Sequence, residues 1–352
     1  MQRESNIELL RIVVMLFIIL HHLIVHAIYP DVLEGHNGCT SAFMVYSVLE
    51  GFLYVAVNVF ILISGYFGIR LRARKIWSLY LQCAFYGLLT YLFGVIVGTV
   101  EFVPHTLITK SVLIFSHLSS WWFVVCYLIL MILSPLLNFG MSMMRKKEYM
   151  FVLICMTFLQ IYLGWFWQKS VYDVDGYNIL NFIYLYLIGG YIARFVSNDK
   201  PTAQRNIIIT TYIICAIAFA GCNIIHAIWK IPFGNVWGYN NPIVIIGAIS
   251  LFLFARTFEV QSKVINLLAS GVLAAYLMTD IPYVGDFIYR EYSELASMIP
   301  SMVLTIVVTI CAAICVVLLA CCIDVVRSFM MKPIIGAFDG VDRWTATSEE
   351  YE

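Results

Sequence analysis

Long apolar blocks alternate with short polar connections along this chain, and the length of the blocks decides its class. Ten of them stand out, at roughly 8–29, 43–66, 76–98, 119–139, 148–167, 178–196, 206–227, 241–258, 265–284 and 297–325, each bounded by charge, glycine or proline. About 18 to 25 such residues let a helix cross a hydrocarbon core roughly 30 Å thick. The segment 105–118 is apolar but shorter and holds His105, Lys110 and His117, so it predicts an interfacial or re-entrant piece.

Composition agrees with this pattern. Hydrophobic residues make up 62% of the chain and charged residues 12%, where about 25% charged is usual for a soluble domain; mean hydropathy is +0.89. The expectation is an all-α polytopic membrane protein with about ten transmembrane helices, sited in the plasma membrane. Membrane lipids are expected partners, and nucleic acid is not. With the N-terminus inside, 17 of the 21 Lys and Arg residues fall on inner loops and flanks, leaving only Lys110, Lys169, Lys230 and Arg290 outside. That asymmetry predicts cytoplasmic N- and C-termini. No internal repeat is evident, which weighs against a transporter built from duplicated halves. The ten cysteines lie almost all in apolar spans and form no CxxC pair, the pattern of packing residues.

Polar side chains inside these blocks are the candidate chemistry, because a charge in the membrane interior costs a few kcal/mol unless it is paired or wetted. The first block runs from Glu8 through Arg11 to His21 and His22. The step from Arg11 to His22 turns a helix through about 1100°, about 20° from full register, and climbs roughly 16 Å. The two side chains therefore share a face, with Arg11 near the cytoplasmic rim and His22 about mid-membrane or beyond. Glu8, Met15 and His26 lie within roughly 60° of Arg11, whereas His21 points about 100° away from His22, which favours His22 as the inward-facing histidine. Glu8 stands three residues before Arg11, where it can hold the guanidinium.

Other candidates follow. Phe60-Ile-Leu-Ile-Ser64-Gly65-Tyr66-Phe67-Gly68 closes the second block and is followed at once by Arg70, Arg72, Arg74 and Lys75. These four cations fit either an ordinary cytoplasmic flank or a phosphate-docking site. Asn58, Ser64, Tyr66, Trp122 and Tyr127 are candidate cavity-lining residues, although tryptophans at a helix start also serve as interface anchors. In the ninth block Asp280 precedes Pro282 near the outer surface, as a solvated helix end or a further cavity residue. No HExxH or comparable spacing is present, so no metal site is expected.

Taken in order, these residues resemble the acyltransferase 3 family, membrane-bound O-acyltransferases that modify cell-surface glycans. The likeness starts at Asn6-Ile7-Glu8-Leu9-Leu10-Arg11 and runs to His22, an acid, an Arg and then a His after ten intervening residues. It continues through Phe60–Tyr66 with its basic follow-on. Next come Ser120-Trp121-Trp122-Phe123 to Tyr127 and Leu133-Ser134-Pro135-Leu136-Leu137-Asn138, then Ile265-Asn266 and Tyr276-Leu277-Met278-Thr279-Asp280. The chain departs from the family where many members carry a Glu in the fourth span, here Tyr127 and no acid, and where many carry a His, here Thr279. No second acid or base is carried over at either place.

The resemblance implies an integral-membrane acyltransferase domain over residues 1–330 and a short cytoplasmic tail over 331–352. It implies acyl-CoA, acetyl-CoA foremost, as co-substrate with no bound cofactor, docked on Arg70, Arg72, Arg74 and Lys75. The pantetheine arm passes Arg11 toward His22, which acts as general base on a carbohydrate hydroxyl or, in a covalent variant, carries the acyl group. A glycan or lipid-linked-sugar exporter, and an acyltransferase for a small molecule, are the alternatives.

Overall fold

The first apolar block folds into α1 (Ser5–Leu23), which ends in a wider π-helical turn over Ile24–Ile28. The second breaks at Tyr54 and Val55 into α2 (Ser41–Leu53) and α3 (Ala56–Phe67). Then follow α4 (Ala73–Val97), the short α5 (Pro104–Ser111), α6 (Trp122–Met143) and α7 (Lys146–Thr157), which continues as a π-helix over Phe158–Phe166. The remainder comprises α8 (Ile179–Phe195), α9 (Thr202–Trp229), α10 (Pro242–Ala255), α11 (Lys263–Gly271), α12 (Leu273–Thr279), α13 (Pro282–Ser297) and α14 (Met302–Gly336). This computed structural model describes residues 4–28, 40–111, 121–168, 175–197, 202–229, 234–338 and 340, and among them there is no strand. His36, Cys39 and His117 lie outside the described residues.

Among the described residues, seven helical stretches are long and apolar enough to cross a membrane, or eight if α11–α12 and α13 count as one span bent by 84°. The bend falls at Asp280 and Ile281, just before Pro282, whose ring cannot continue the preceding helix. The sixth and eighth expected blocks are helical but short, 17 residues in α8 and 14 in α10. All ten blocks are thus helices in the expected order, while fewer than ten meet the length of a full span. The segment expected at the interface begins as α5, eight residues packed beside α4. The tenth block runs on to Gly336, so the first residues after 330 prolong a helix instead of forming a loose tail.

Helix boundaries follow local capping chemistry. Asn178, Asn241, Ser262 and Ser301 each accept a backbone N–H of the first turn they precede, in front of α8, α10, α11 and α14. Pro242 adds a preset first turn to α10. The outward faces carry large exposed apolar residues such as Ile96, Leu136, Phe151, Ile217 and Phe329, the surface a bundle presents to lipid.

Helix α1 stands at the centre, touching α2, α3, α10, α11, α12 and α14. Val14, Met15, Ile19 and Leu23 are almost wholly buried on its packed sides. Small residues set the close crossing of α3 and α8. A Cβ on Gly65 of α3 would strike the backbone carbonyl of Tyr186 in α8, and one on Gly189 would strike that of Leu62. Membrane helices approach this closely only where side chains are absent. On the far side, Asp324 of α14 accepts from Gln82 (3.0 Å) and Tyr86 (3.1 Å) of α4 and from Arg327 Nε (2.6 Å). Arg327, counted from the sequence among the flanking cations, is therefore buried as one half of a hydrogen-bonded pair.

Gly65→Ala and Gly189→Ala should each destabilise the protein by about 1–3 kcal/mol, because the new methyl meets rigid backbone. Gly140→Ala, where nothing lies within 4 Å of the added atom, should be neutral or stabilising by up to about 1 kcal/mol from helix propensity. Thermal unfolding of the detergent-solubilised protein checks the contrast; equal melting temperatures for all three would refute the close crossing.

Candidate functional site

One turn above Arg11, α1 begins to line a cavity. Met15, Ile18, His21 and His22 form one wall, and Leu53, Tyr54, Ala56, Val57 and Phe60 from the α2–α3 break form the next. Trp122 and Phe123 of α6, Tyr239 and the α11–α12 junction at Val272, Leu273 and Tyr276 complete its lining. The aromatic lining suits a small organic ligand. Arg11 itself is not part of the wall.

Both histidines face this space, which corrects the expectation that His21 turns away. An ideal helix does separate adjacent side chains by about 100°. The cavity, however, wraps around α1, and the two rings lie 5.8 Å apart, both in its wall. His21 is held from outside the helix: its Nδ1 lies 2.7 Å from Oε2 of Glu50 in α2, whose side chain is fully buried. The ring also meets Tyr54 edge-on at 5.4 Å. His22 has no such brace; its Nδ1 is buried without a hydrogen-bond partner. His26, one turn on, is exposed and stacks on Tyr289 at 4.9 Å.

Several sequence candidates stand behind the wall and hold it. Asn58 is buried and donates to the Tyr239 carbonyl at 2.8 Å. Tyr127 stacks on Phe123 at 5.9 Å and accepts a 3.4 Å hydrogen bond from Ser64. Asp280 is hydrogen-bonded to the Tyr276 hydroxyl. Trp122 is in the wall itself, stacked on Tyr239 at 5.5 Å. Tyr66 lies apart, beneath the Arg256 guanidinium at 4.7 Å.

The loop 234–241 supplies the part of the wall that the sequence pattern hides. It is irregular, yet Val236, Tyr239, Asn240 and Asn241 are buried, so its polar backbone must be bonded. The Tyr239 N–H donates to Asp175 O at 2.8 Å and Trp165 Nε1 to Asn235 O at 2.8 Å. The Tyr54 hydroxyl bonds the Trp237 carbonyl, and the Trp237 indole donates to Asn223 at 3.1 Å. Glu50, Tyr54 and Tyr239 were not singled out from the sequence, and His21 was named there only as the histidine turned away. Glu50 alone carried a signal, a carboxylate inside an apolar block.

At the cation-rich end, Arg11 pairs with Glu8 at 3.3 Å and is a third exposed. Arg70, Arg72, Arg74 and Lys75 are all exposed. Lys75 lies within Coulombic reach of Arg72, Arg70 and Arg11, so the group borders on the foot of α1. The turn before it is pinned: Gly68 has φ 69°, Ile69 N–H donates to Tyr186 Oη at 2.8 Å, and Ile69 O accepts from Asn138 at 2.8 Å. Asn138 and Tyr186 bond each other at 2.7 Å. An aromatic-walled cavity with two imidazoles in its wall has the parts for proton transfer on a bound ligand.

The comparisons with known proteins bear on this arrangement. No curated protein and no solved structure matches the chain. A family model described as an acyltransferase domain matches residues 4–324, from the N-cap of α1 to Asp324 of α14. With nearly all of the helical bundle inside that match, the chain belongs to the acyltransferase 3 family of membrane acyltransferases.

Proposed function

We propose that the protein moves an acyl group, acetyl in the first instance, from acyl-CoA on the cytoplasmic side to a hydroxyl of a cell-surface or lipid-linked carbohydrate. The observation that carries this reading is the aromatic-walled cavity with His22 in its wall and Arg11 below it. Aromatic faces such as Trp122 and Tyr239 suit a sugar ring, which has an apolar face and a polar rim. The cations from Arg70 to Lys75 suit the phosphates of the donor, which Arg forks bind bidentately. The rise of roughly 16 Å from Arg11 to His22 suits an extended pantetheine arm laid along α1.

In the reaction the hydroxyl oxygen attacks the thioester carbon while its proton passes to His22. The C–S bond then breaks, and the departing sulfur takes the proton back from the imidazolium, leaving an ester and a free thiol. Placement of both reactants in one dry chamber supplies much of the acceleration. Glu8 keeps the Arg11 guanidinium paired at the chamber's foot. The plasma membrane is the proposed site of action, with no bound cofactor.

His22→Ala should leave the protein in the membrane and lower acyl transfer by about 10²-fold or more. Mass spectrometry of surface glycans from cells with the gene, without it, and with the variant checks this. Full acylation by His22→Ala, or loss of glycan export with acylation intact, would overturn the reading.

Replacing Arg70, Arg72 and Arg74 together should raise the KM for acyl-CoA by about tenfold or more, with little change in that for acceptor. An unchanged donor KM would reduce these residues to topology determinants.

A further inference from the structure

Two adjacent imidazoles in one wall are more than a single proton transfer requires. The hydroxyls of Tyr54, Tyr239 and Tyr276, which also reach this cavity, are already bonded to Trp237 and Tyr177, to Tyr177 and to Asp280. His21 and His22 are the imidazoles of the wall. Their environments differ. His22 has an unbonded, buried Nδ1, whereas His21 is bonded to Oε2 of a buried carboxylate whose other oxygen has no hydrogen-bond partner.

A carboxylate accepts, so Glu50 holds His21 in the tautomer with the proton on Nδ1. The remaining nitrogen, Nε2, is then a hydrogen-bond acceptor of fixed direction. With the rings 5.8 Å apart, a hydroxyl presented to His22 brings its neighbour on the same sugar ring toward His21. We propose that His21, oriented by Glu50, accepts a hydrogen bond from the acceptor hydroxyl next to the one that reacts, and so selects acceptors with two adjacent hydroxyls and sets which of the two is acylated. Glu50 is a positioning residue, acting through His21, and His21 a specificity determinant. This rests on the acyl-transfer reading above and adds to it the class of acceptor, a vicinal diol on a ring.

The loss of a buried partner is also what a purely architectural Glu50 would show, so the test needs a readout that architecture does not move. Regiochemistry is such a readout. Full-length protein and its variants are expressed in cells lacking the gene, and the ester positions on the surface glycan are mapped by NMR. The purified proteins in lipid nanodiscs are assayed with acetyl-CoA and the de-esterified glycan from the same cells.

Glu50→Gln can offer its amide NH2 to Nδ1 and turn the ring to the donor tautomer. It should raise the acceptor KM by about tenfold, keep the donor KM within about twofold, and scatter the ester over neighbouring hydroxyls. Glu50→Asp should recover part of the selectivity. His21→Asn keeps an N–H for Glu50 and so preserves the buried bond, but it has no Nε2; it should show the same relaxed regiochemistry. Wild-type ester positions and acceptor KM in Glu50→Gln and His21→Asn would overturn the proposal. So would a fall in turnover in Glu50→Gln with unchanged ester positions, alongside wild-type behaviour in His21→Asn, the mark of a scaffold bond. Absence of any gene-dependent ester with the wild type would instead sink the acyl-transfer reading, and this one with it.

Discussion

In a hydrocarbon layer a polar side chain has no water to turn to, so charged groups placed there call for partners within the protein. Arg11 is paired with Glu8 on the same helix, His21 with Glu50 across two helices, and Arg327 with Asp324, which Gln82 and Tyr86 also reach. These pairs do different work. The Asp324 group joins α4 to α14, its carboxylate accepting from Gln82, Tyr86 and two nitrogens of Arg327. The Glu50 bond ties α2 to α1 beside the cavity.

The same constraint explains the architecture around the cavity. A chamber inside a helical bundle needs helices that stop or bend, and such interruptions free backbone groups that must be satisfied elsewhere. The break at Tyr54 and Val55, the π-helical turn after Leu23 and the bend at Asp280 all lie close to the chamber. The loop 234–241 dips inward and is stitched by asparagine side chains and by Trp165, Tyr54 and Asn58. Irregular backbone at this depth is sheltered by protein on its sides, as it must be.

The close crossing of α3 and α8 at Gly65 and Gly189 complements these openings. It brings Tyr186 to the turn after Gly68, where Tyr186 and Asn138 grip Ile69 from both backbone directions. The turn carries Arg70 and Arg72. Helix packing in the apolar interior and the placement of exposed cations are in this way one structural problem, solved by two glycines, a tyrosine and an asparagine.

Much of this was legible in the sequence. Block length implies helices, because lipid thickness sets how many apolar residues a span requires, and all ten blocks are helical in order. Spacing alone paired Glu8 with Arg11, a contact within a single helix. Helical periodicity could not supply what happens between helices. Whether His21 faces lipid or a partner depends on a carboxylate 29 residues away, and Asn58, Tyr127 and Asp280 stand behind the cavity wall because of how α3, α6 and α12 are rotated. A one-dimensional pattern encodes the face a residue occupies on its own helix; the neighbour it meets there is settled only when the helices pack, because that choice is made by shape and by the need of each buried polar group for a partner.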